Sequence, residues 1–421
     1  MEELKTTDIK KINIIILTPF VGCAVVLYHI LKSKAPDTTF VFTDRNTLLH
    51  DMKYDGVEII SAEQAKNQYA DAMTIICAAH HSKAILKKYS DLGFKNIETN
   101  YQQFFSKDIF IKAVEKVCFK QLEDFKPNVK NAIENFMTSW DAYFPPTQFL
   151  YKDALVFDRV NLTITTRCSL RCKDCCSNIQ YYQRPSDFSL ETNIDTFDAF
   201  MQRIDYVKEF ALLGGEPFLY RQLAELIIHI TYSEYVDKIG RVALVTNGTI
   251  LPDEKTLCLL KKHGIHVYIS DYGEHSKKIA EIVAAFDDYS IFYEHKPNMI
   301  WYSSCKIIDG ETVQDEEAQK RFEECEAICR ELRQGKFYYC SFLAAVYDLK
   351  AVPDTIDNGI DLMDGRTAKE DIRRYIEKKS TPSEGISFYP GCRWCSGCDF
   401  KTPLPMAAVQ ICEPLPYKRY E

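Results

Sequence analysis

The sequence predicts an α/β protein with two strand-and-helix regions and a cysteine-rich tail, on three observations. Apolar β-branched runs alternate with helical patterns over residues 12–105, the alternation resumes over 155–300, and eight cysteines fall within 301–421. Alternation of this kind builds parallel sheets covered by helices. A length of 421 residues accommodates about two to three domains.

Residues 1–11 form a polar arm without periodicity and are expected to be mobile. Lys11 to Leu17 is a buried strand, and Gly22 to Leu31 a helix with Val25, Leu27, Ile30 and Leu31 facing inward. Strands follow at Thr38 to Thr43, Gly56 to Ile60 and Ala72 to Cys77, then a helix near Ala84 to Leu92 and a strand at Lys95 to Glu98. This is the rhythm of a doubly wound, Rossmann-like sheet. Its first turn reads Thr18-Pro-Phe-Val-Gly22 where a dinucleotide fingerprint needs three glycines, so the domain is expected to be a scaffold that does not bind NAD tightly. Asp44 ends the second strand, where a ribose-binding acid often lies. His80 and His81 are the other polar candidates, each with a surface role as its simpler assignment. The pattern, including Tyr54-Asp-Gly-Val-Glu-Ile-Ile-Ser61 and Leu92-Gly-Phe-Lys-Asn-Ile97, resembles small Rossmann-like modules attached to enzymes that modify sugars and surface glycans. Residues 106–154 read as a helical connector stopped by Pro145-Pro146.

In the second region Arg159 to Thr166 is a strand that delivers Cys168, Cys172 and Cys175, spaced C-x3-C-x2-C, into a loop. Three thiolates there can hold three corners of a [4Fe–4S] cube and leave one iron open. A zinc site would need a fourth ligand, and adjacent Cys176 aims poorly at the same ion. Ser189 caps a helix in which Ile194, Phe197, Phe200, Met201, Ile204 and Val207 form a core stripe. Further strands are expected at Phe210 to Leu213, Arg241 to Thr246, His266 to Ser270 and Ser290 to Tyr293, with His295 beyond the last. Helices are expected at Leu223 to Ile230 and Glu254 to Lys262.

This loop, with Gly214-Gly215-Glu216-Pro217 after one strand and Thr246-Asn247-Gly248 after the next, resembles the radical S-adenosylmethionine (SAM) enzymes. The resemblance implies a partial (β/α)6 barrel, with cluster, SAM and substrate on one rim. It also implies a backbone and glutamate at 214–217 that hold the methionine amino group, a ribose contact at 246–248, and a 5′-deoxyadenosyl radical that abstracts hydrogen from substrate. An electron donor such as flavodoxin or ferredoxin would supply the cluster. Ser270 and Asp271 end the following strand and face SAM or substrate, or are purely structural.

In the tail, Cys325, Gly335 and Cys340 stand as C-x9-G-x4-C, and Cys392, Cys395 and Cys398 as C-x2-C-x2-C, followed by Cys412. The spacing resembles the SPASM and Twitch extensions of radical SAM enzymes and implies at least one auxiliary [4Fe–4S] cluster on Cys325, Cys340, Cys392 and Cys395. The pattern departs from a full SPASM after Cys395. Cys305, Cys329, Cys398 and Cys412 could complete a second cluster, and a zinc ribbon on Cys392, Cys395, Cys398 and Cys412 is the alternative. Few helices are expected in this region. Cys23, Cys77, Cys118 and Cys258 lie on apolar stretches and read as core residues; Cys176 reads as packing beside the first cluster.

A net charge of −8 argues against a nucleic-acid partner, whose phosphates demand clustered Lys and Arg. No apolar run reaches the ~18 residues of a membrane span, and Met-Glu-Glu-Leu-Lys lacks the order of a signal peptide, so the cytoplasm is expected. Sixteen cysteines in that compartment point to metal or redox chemistry, and open-iron clusters to low oxygen. Two substrate classes stay open: a small-molecule or glycan-linked sugar, epimerised or oxidised, and a peptide, as for SPASM maturases. A non-catalytic iron–sulfur sensor is the third reading, disfavoured by the Gly214–Pro217 motif.

Overall fold

A computed structural model describes residues 12–77, 82–99, 101–119, 133, 137, 140, 147–149, 151, 153–297, 301, 305–325, 327, 329–353, 359–377, 388–398 and 406–420. His80, His81, the arm and most of the 106–154 connector lie outside them. The chain forms two compact units, Met1–Trp140 and Asp141–Glu421.

The first unit runs β1 (Ile14–Thr18), α1 (Gly22–Lys34), β2 (Thr39–Thr43), β3 (Lys53–Tyr54), β4 (Val57–Ile60), α2 (Ala62–Gln68), β5 (Met73–Ile76), α3 (Ser82–Asp91), β6 (Ile97–Glu98) and α4 (Lys107–Val114). Its sheet has the order β3-β4-β2-β1-β5-β6. All pairings are parallel except β3 with β4. That hairpin turns through Asp55 and Gly56, both at positive φ (48° and 77°), a conformation that an Asp-Gly pair adopts readily. The four residues Val25, Leu27, Ile30 and Leu31 are buried, as their spacing predicts. Helix α2 was not foreseen, although its capping box is local: Gln64 N donates to Ser61 Oγ (3.0 Å) and Ser61 N to Gln64 Oε1 (2.9 Å).

The second unit alternates β7 (Val156–Thr165), α5 (Leu190–Gln202), β8 (Tyr206–Gly214), α6 (Leu223–Tyr232), β9 (Val242–Thr246), α7 (Glu254–Lys262), β10 (His266–Ser270), α8 (Ile279–Asp288) and β11 (Tyr293–Lys296). The last strand starts where the sequence reading ended it, because Ser290 at φ 52° still belongs to the turn. Then come α9 (Asp315–Glu323), β12 (Arg330–Arg333), β13 (Lys336–Tyr338), α10 (Ser341–Asp348), β14 (Gly359–Asp361) and α11 (Lys369–Glu377). The three tail helices correct the expectation of few helices there; α9 buries Ala318 and Phe322, α10 the run Phe342 to Val346, and α11 Ile372.

The sheet order is β11-β10-β9-β8-β7-β12-β13-β14. Strands β7 to β11 pair in parallel in chain order. The sixth parallel strand, β12, comes from the tail and lies on the free side of β7, with Leu332 opposite Leu162; β13 and β14 then add antiparallel. The tail's strands thus continue the sheet that carries the cysteine loop.

Alternation along the strands separates two faces. Val160, Leu162, Phe210, Leu212, Leu244, Val267 and Ile269 pack with Phe197, Phe200 and Ile227 of the helices. On the opposite face Ala211, Ala243 and Tyr268 cluster with Leu213 and Val245. Below them Glu209, 2% exposed, forms an ion pair with Arg159 (2.8 Å) and accepts from Arg241 Nε (2.9 Å) and the Tyr268 hydroxyl (2.6 Å). This inner face is polar at its base and small-sided above.

His266 belongs to the same layer, packed edge-on against Tyr268 at 4.6 Å between centroids. Neither ring nitrogen has a partner among the described residues. Burial, reinforced by Arg241, pushes its pKa down to about 3. The neutral ring is therefore a folding constraint: between the unfolded value of about 6.5 and about 3 the unfolded chain binds the extra proton, so stability is lost as pH falls through that window. The expected loss is on the order of 3–5 kcal/mol at the lower end. Denaturant titrations of the wild type and His266→Gln from pH 7 to pH 4 check it; the variant should show a flatter dependence, and parallel curves would refute the assignment.

Candidate active site

Strand β7 ends in threonines that turn the chain rather than extend it. Thr165 Oγ1 donates to Asp187 Oδ1 (2.7 Å) and accepts from Arg167 N (3.0 Å), while Thr166 N donates to Ser186 O (2.9 Å). Arg167 is held by Asp187 (3.0 Å) and by Leu219 O (3.1 Å). The loop then presents Cys168, Cys172 and Cys175, the last two linked by a turn, Cys175 N to Cys172 O at 3.2 Å. Burial pushes the Cys168 thiol up to about 12 and raises those of Cys172 and Cys175. Metal-free, these thiols keep their protons, so a metal must displace them.

Two of the sulfurs are approached by N–H donors. Leu170 N and Asn247 Nδ2 each lie 3.4 Å from Cys168 Sγ, and Gln410 Nε2 lies 3.2 Å from Cys172 Sγ. Donors aimed at sulfur suit an anionic thiolate better than a thiol, and they fit ligation of an iron–sulfur cluster.

The Gly-Gly pair after β8 is required by close approach. Gly215 N donates to Thr165 O (2.9 Å) and Glu216 N to Arg167 O (2.8 Å). A Cβ on Gly215 would overlap the Arg167 carbonyl and lie 2.8 Å from Cys168 Cβ, and one on Gly214 would lie 2.8 Å from Thr165 Cγ2. Glycine here lets the two loops share backbone hydrogen bonds.

Glu216 is fully buried and its carboxylate turns inward. It accepts from Thr246 Oγ1 (3.0 and 3.1 Å), Asn247 N (2.9 Å) and Phe218 N (3.2 Å). Burial outweighs these donors and raises its pKa to about 7. The side chain thus ties the 214–217 loop to the 246–248 turn, and Pro217, also buried, starts the short 3-10 turn that follows. Gly248 sits at φ 72°, and a Cβ there would overlap Ile279. Asn247 completes the link, bonding Cys168 and Ser169 through its amide nitrogen and accepting from Thr249 N (3.1 Å).

At the end of β10 the two candidate residues part. Ser270 is buried, and the Tyr272 hydroxyl bonds both its side chain and that of Trp301. Asp271 bonds His295 Nε2 (2.8 Å) and Gly273 N (2.8 Å). His295 pairs in register with Ile269, on the helix-facing side, so this hydrogen bond locks β10 to β11 at the rim.

One contact to the loop lay beyond sequence reasoning: residues 408–411 bind back onto it. Cys172 and Gln410 form an antiparallel bridge, flanked by Lys173 N to Val409 O (2.7 Å) and Ile411 N to Arg171 O (2.9 Å). A lone Gln between Val and Ile carries no sequence signal for this.

Among the tail cysteines, Cys325, Cys340, Cys392 and Cys395 are electrostatic neighbours. Cys305 hydrogen-bonds the thiols of Cys395 and Cys398, held there by the bridge Ile307 to Cys395 and by Ser396 N to Lys306 O (3.0 Å). Cys329 instead bonds Asn161 of β7. Cys412 is exposed, one residue beyond the strand contact to Arg171. Among the described residues no three His, Cys, Asp or Glu converge on a point that a single metal ion would fill, and no helix is long and apolar enough to cross a membrane. Cys118 and Cys258 are exposed, which corrects their reading as core: on α7 it is Leu257 and Leu260 that face inward. Cys176 is exposed too, its carbonyl accepting from Ser341 Oγ (3.3 Å).

The model of the Radical SAM superfamily matches residues 162–271, from β7 through the end of β10. A GTP 3′,8-cyclase of Staphylococcus saprophyticus is 36% identical over 115 residues, covering 26% of this chain and 30% of the relative. One from Parasynechococcus marenigrum is 31% identical over 111 residues, covering 25% and 31%. The chain spans less than a third of the length of these curated relatives. Among solved structures, BtrN in complex with AdoMet and 2-DOIA aligns with TM-score 0.34 and 14% identity over 61% of this chain and 100% of that one. Streptococcus suis SuiB aligns with TM-score 0.30 and 12% identity over 76% and 84%.

Proposed function

We propose, from the radical SAM superfamily domain that residues 162–271 form, that this chain abstracts hydrogen from a sugar or glycan precursor, ending in epimerisation or oxidation. A [4Fe–4S] cluster and SAM, when bound, supply a 5′-deoxyadenosyl radical for that abstraction. Cys168, Cys172 and Cys175 would hold the cluster, Leu170 N, Asn247 and Gln410 would donate to its sulfurs, and the backbone at Gly214 to Glu216 and at Thr246 to Gly248 would seat SAM. Ser270 would face the same rim.

The observation that carries the substrate class is the inner face of the sheet. Small Ala211 and Ala243, flanked by Leu213 and Val245, stand above a polar layer of Glu209, Arg159, Arg241 and Tyr268, side chains of the kind that exchange hydrogen bonds with a hydroxyl-rich molecule. The Rossmann-like form of the first unit supports the same class. For the tail, the mutual proximity of Cys325, Cys340, Cys392 and Cys395 supports one auxiliary [4Fe–4S] cluster, able to accept the electron an oxidation releases. Cys398 stands beside that group through Cys305, and the exposed Cys412 would be a spectator, which also removes the fourth ligand of a zinc ribbon.

The test is hydrogen transfer. With SAM and dithionite under anaerobic conditions, ring-deuterated nucleotide-linked sugars are expected to place deuterium in 5′-deoxyadenosine. Deuterium arriving only from peptides labelled at Cα or Cβ would replace this reading with the maturase one.

A further inference from the structure

We infer that Gln410 is a positioning residue for the first cluster, whose amide N–H on Cys172 Sγ raises the cluster's reduction potential. This rests on the assignment of Cys168, Cys172 and Cys175 as cluster ligands. The geometry leaves the Gln410 amide one orientation. Its Oε1 accepts from Arg171 N (2.8 Å), and its Nε2 donates to Ala408 O (2.7 Å) and to Cys172 Sγ (3.2 Å). Turning the amide over would set oxygen against the Ala408 carbonyl and the sulfur, and N–H against N–H. Every hydrogen-bonding capacity used here is thus satisfied only with a donor on the sulfur.

The backbone keeps it there. The antiparallel bridge of Cys172 with Gln410 and the bonds from Lys173 and Ile411 clamp residues 409–411 along 171–173. Ala408 enters the clamp at φ 56° and is fully buried, and Leu415 N donates to Gln180 O (2.8 Å) on the far side of the loop. Cys172 itself is 8% exposed, so in this segment the tail stands where water would otherwise reach the sulfur. Hydrogen bonds to ligand sulfurs and exclusion of solvent are two of the levers by which proteins set cluster potentials. An N–H on sulfur withdraws negative charge from the ligand and so favours the more negative, reduced cluster. A reduced cluster is what SAM cleavage draws its electron from.

The experiment is a potentiometric titration of the reconstituted, SAM-free protein, followed by the EPR signal of the reduced first cluster in a background in which Cys325 and Cys340 are alanine. Gln410→Ala should require a tenfold more reducing poise for half reduction, 59 mV for one electron, at an iron content equal to the parent. Gln410→Glu keeps the acceptor for Arg171 N but sets an oxygen against the sulfur, and should shift further in the same direction. A purely structural role predicts the opposite order, with Glu close to the parent. Equal midpoints in all three proteins at equal iron would overturn the inference. If Gln410→Ala fails to hold iron, the Glu variant decides alone. A parent background without iron would instead overturn the cluster assignment itself, a result read from metal analysis before any titration.

Discussion

Triple replacement of Cys168, Cys172 and Cys175 by alanine is expected to lower bound iron from about eight to about four per chain and to abolish reductive formation of 5′-deoxyadenosine from SAM. Asn247 Nδ2 approaches Cys168 Sγ and Gln410 Nε2 approaches Cys172 Sγ, and without those sulfurs the two amide nitrogens keep only their bonds to Ser169 and Ala408. The loop itself should persist, since its shape comes from Thr165, Thr166, Arg167 and the backbone bonds to Gly215 and Glu216. Circular dichroism and denaturation should therefore match the parent while iron analysis and the cleavage assay do not. Unchanged cleavage would end the radical SAM reading. One zinc and no iron in the triple variant would return the tail to a structural ribbon, and about eight remaining irons would mean a second auxiliary cluster.

Glu209→Ala is expected to destabilise the second unit by about 3–5 kcal/mol, the cost of breaking a buried ion pair from one side. The carboxylate is met by two guanidinium groups and a phenol; Arg241 is buried and Arg159 half-buried. Without it Arg159 and Arg241, both lying over the Tyr268 ring, lose their shared counter-charge at the base of the inner face. Glu209→Gln should lose less, since the amide oxygen still accepts one bond. Urea unfolding followed by a probe in the second unit measures both. A loss below about 1 kcal/mol for alanine, the range of solvent-exposed pairs, would show that water reaches this layer.

The sequence was most informative where structure and chemistry are local. The strands ending in Thr165, Gly214, Thr246 and Ser270 announce themselves as β-branched or apolar runs, and each motif follows directly because parallel strands deliver their loops to one edge. What stayed hidden depends on partners far along the chain. Arg330-Glu-Leu-Arg333 holds three charged residues in four and no apolar run, yet it is a strand beside β7, its Arg333 buried against Tyr182 (3.0 Å) and its Glu331 against Thr163. Charges that neutralise one another on folding look like surface in one dimension. The inward turn of the Glu216 carboxylate and the helix-facing side of Asp271 were equally invisible, because a motif specifies residue types and not the direction in which each side chain points. The tail helices are hidden for another reason: each spans only eight or nine residues, too few turns for helical periodicity to stand out.

The seating of β12 against β7 also sets a timetable for the polypeptide as it is made. When the cysteine loop emerges from the ribosome, β7 can gain its neighbour β8 within some forty residues, but its other edge stays bare until 330–333 follow. An unpaired edge of apolar, β-branched residues is a template for misassociation, and contacts this distant in sequence form slowly. Iron delivered early would meet a loop whose strand is anchored on one side only and whose covering segment at 408–411 does not yet exist. A chain that stops short of 408–411 would present the thiols of the loop without the segment that pairs along 171–173.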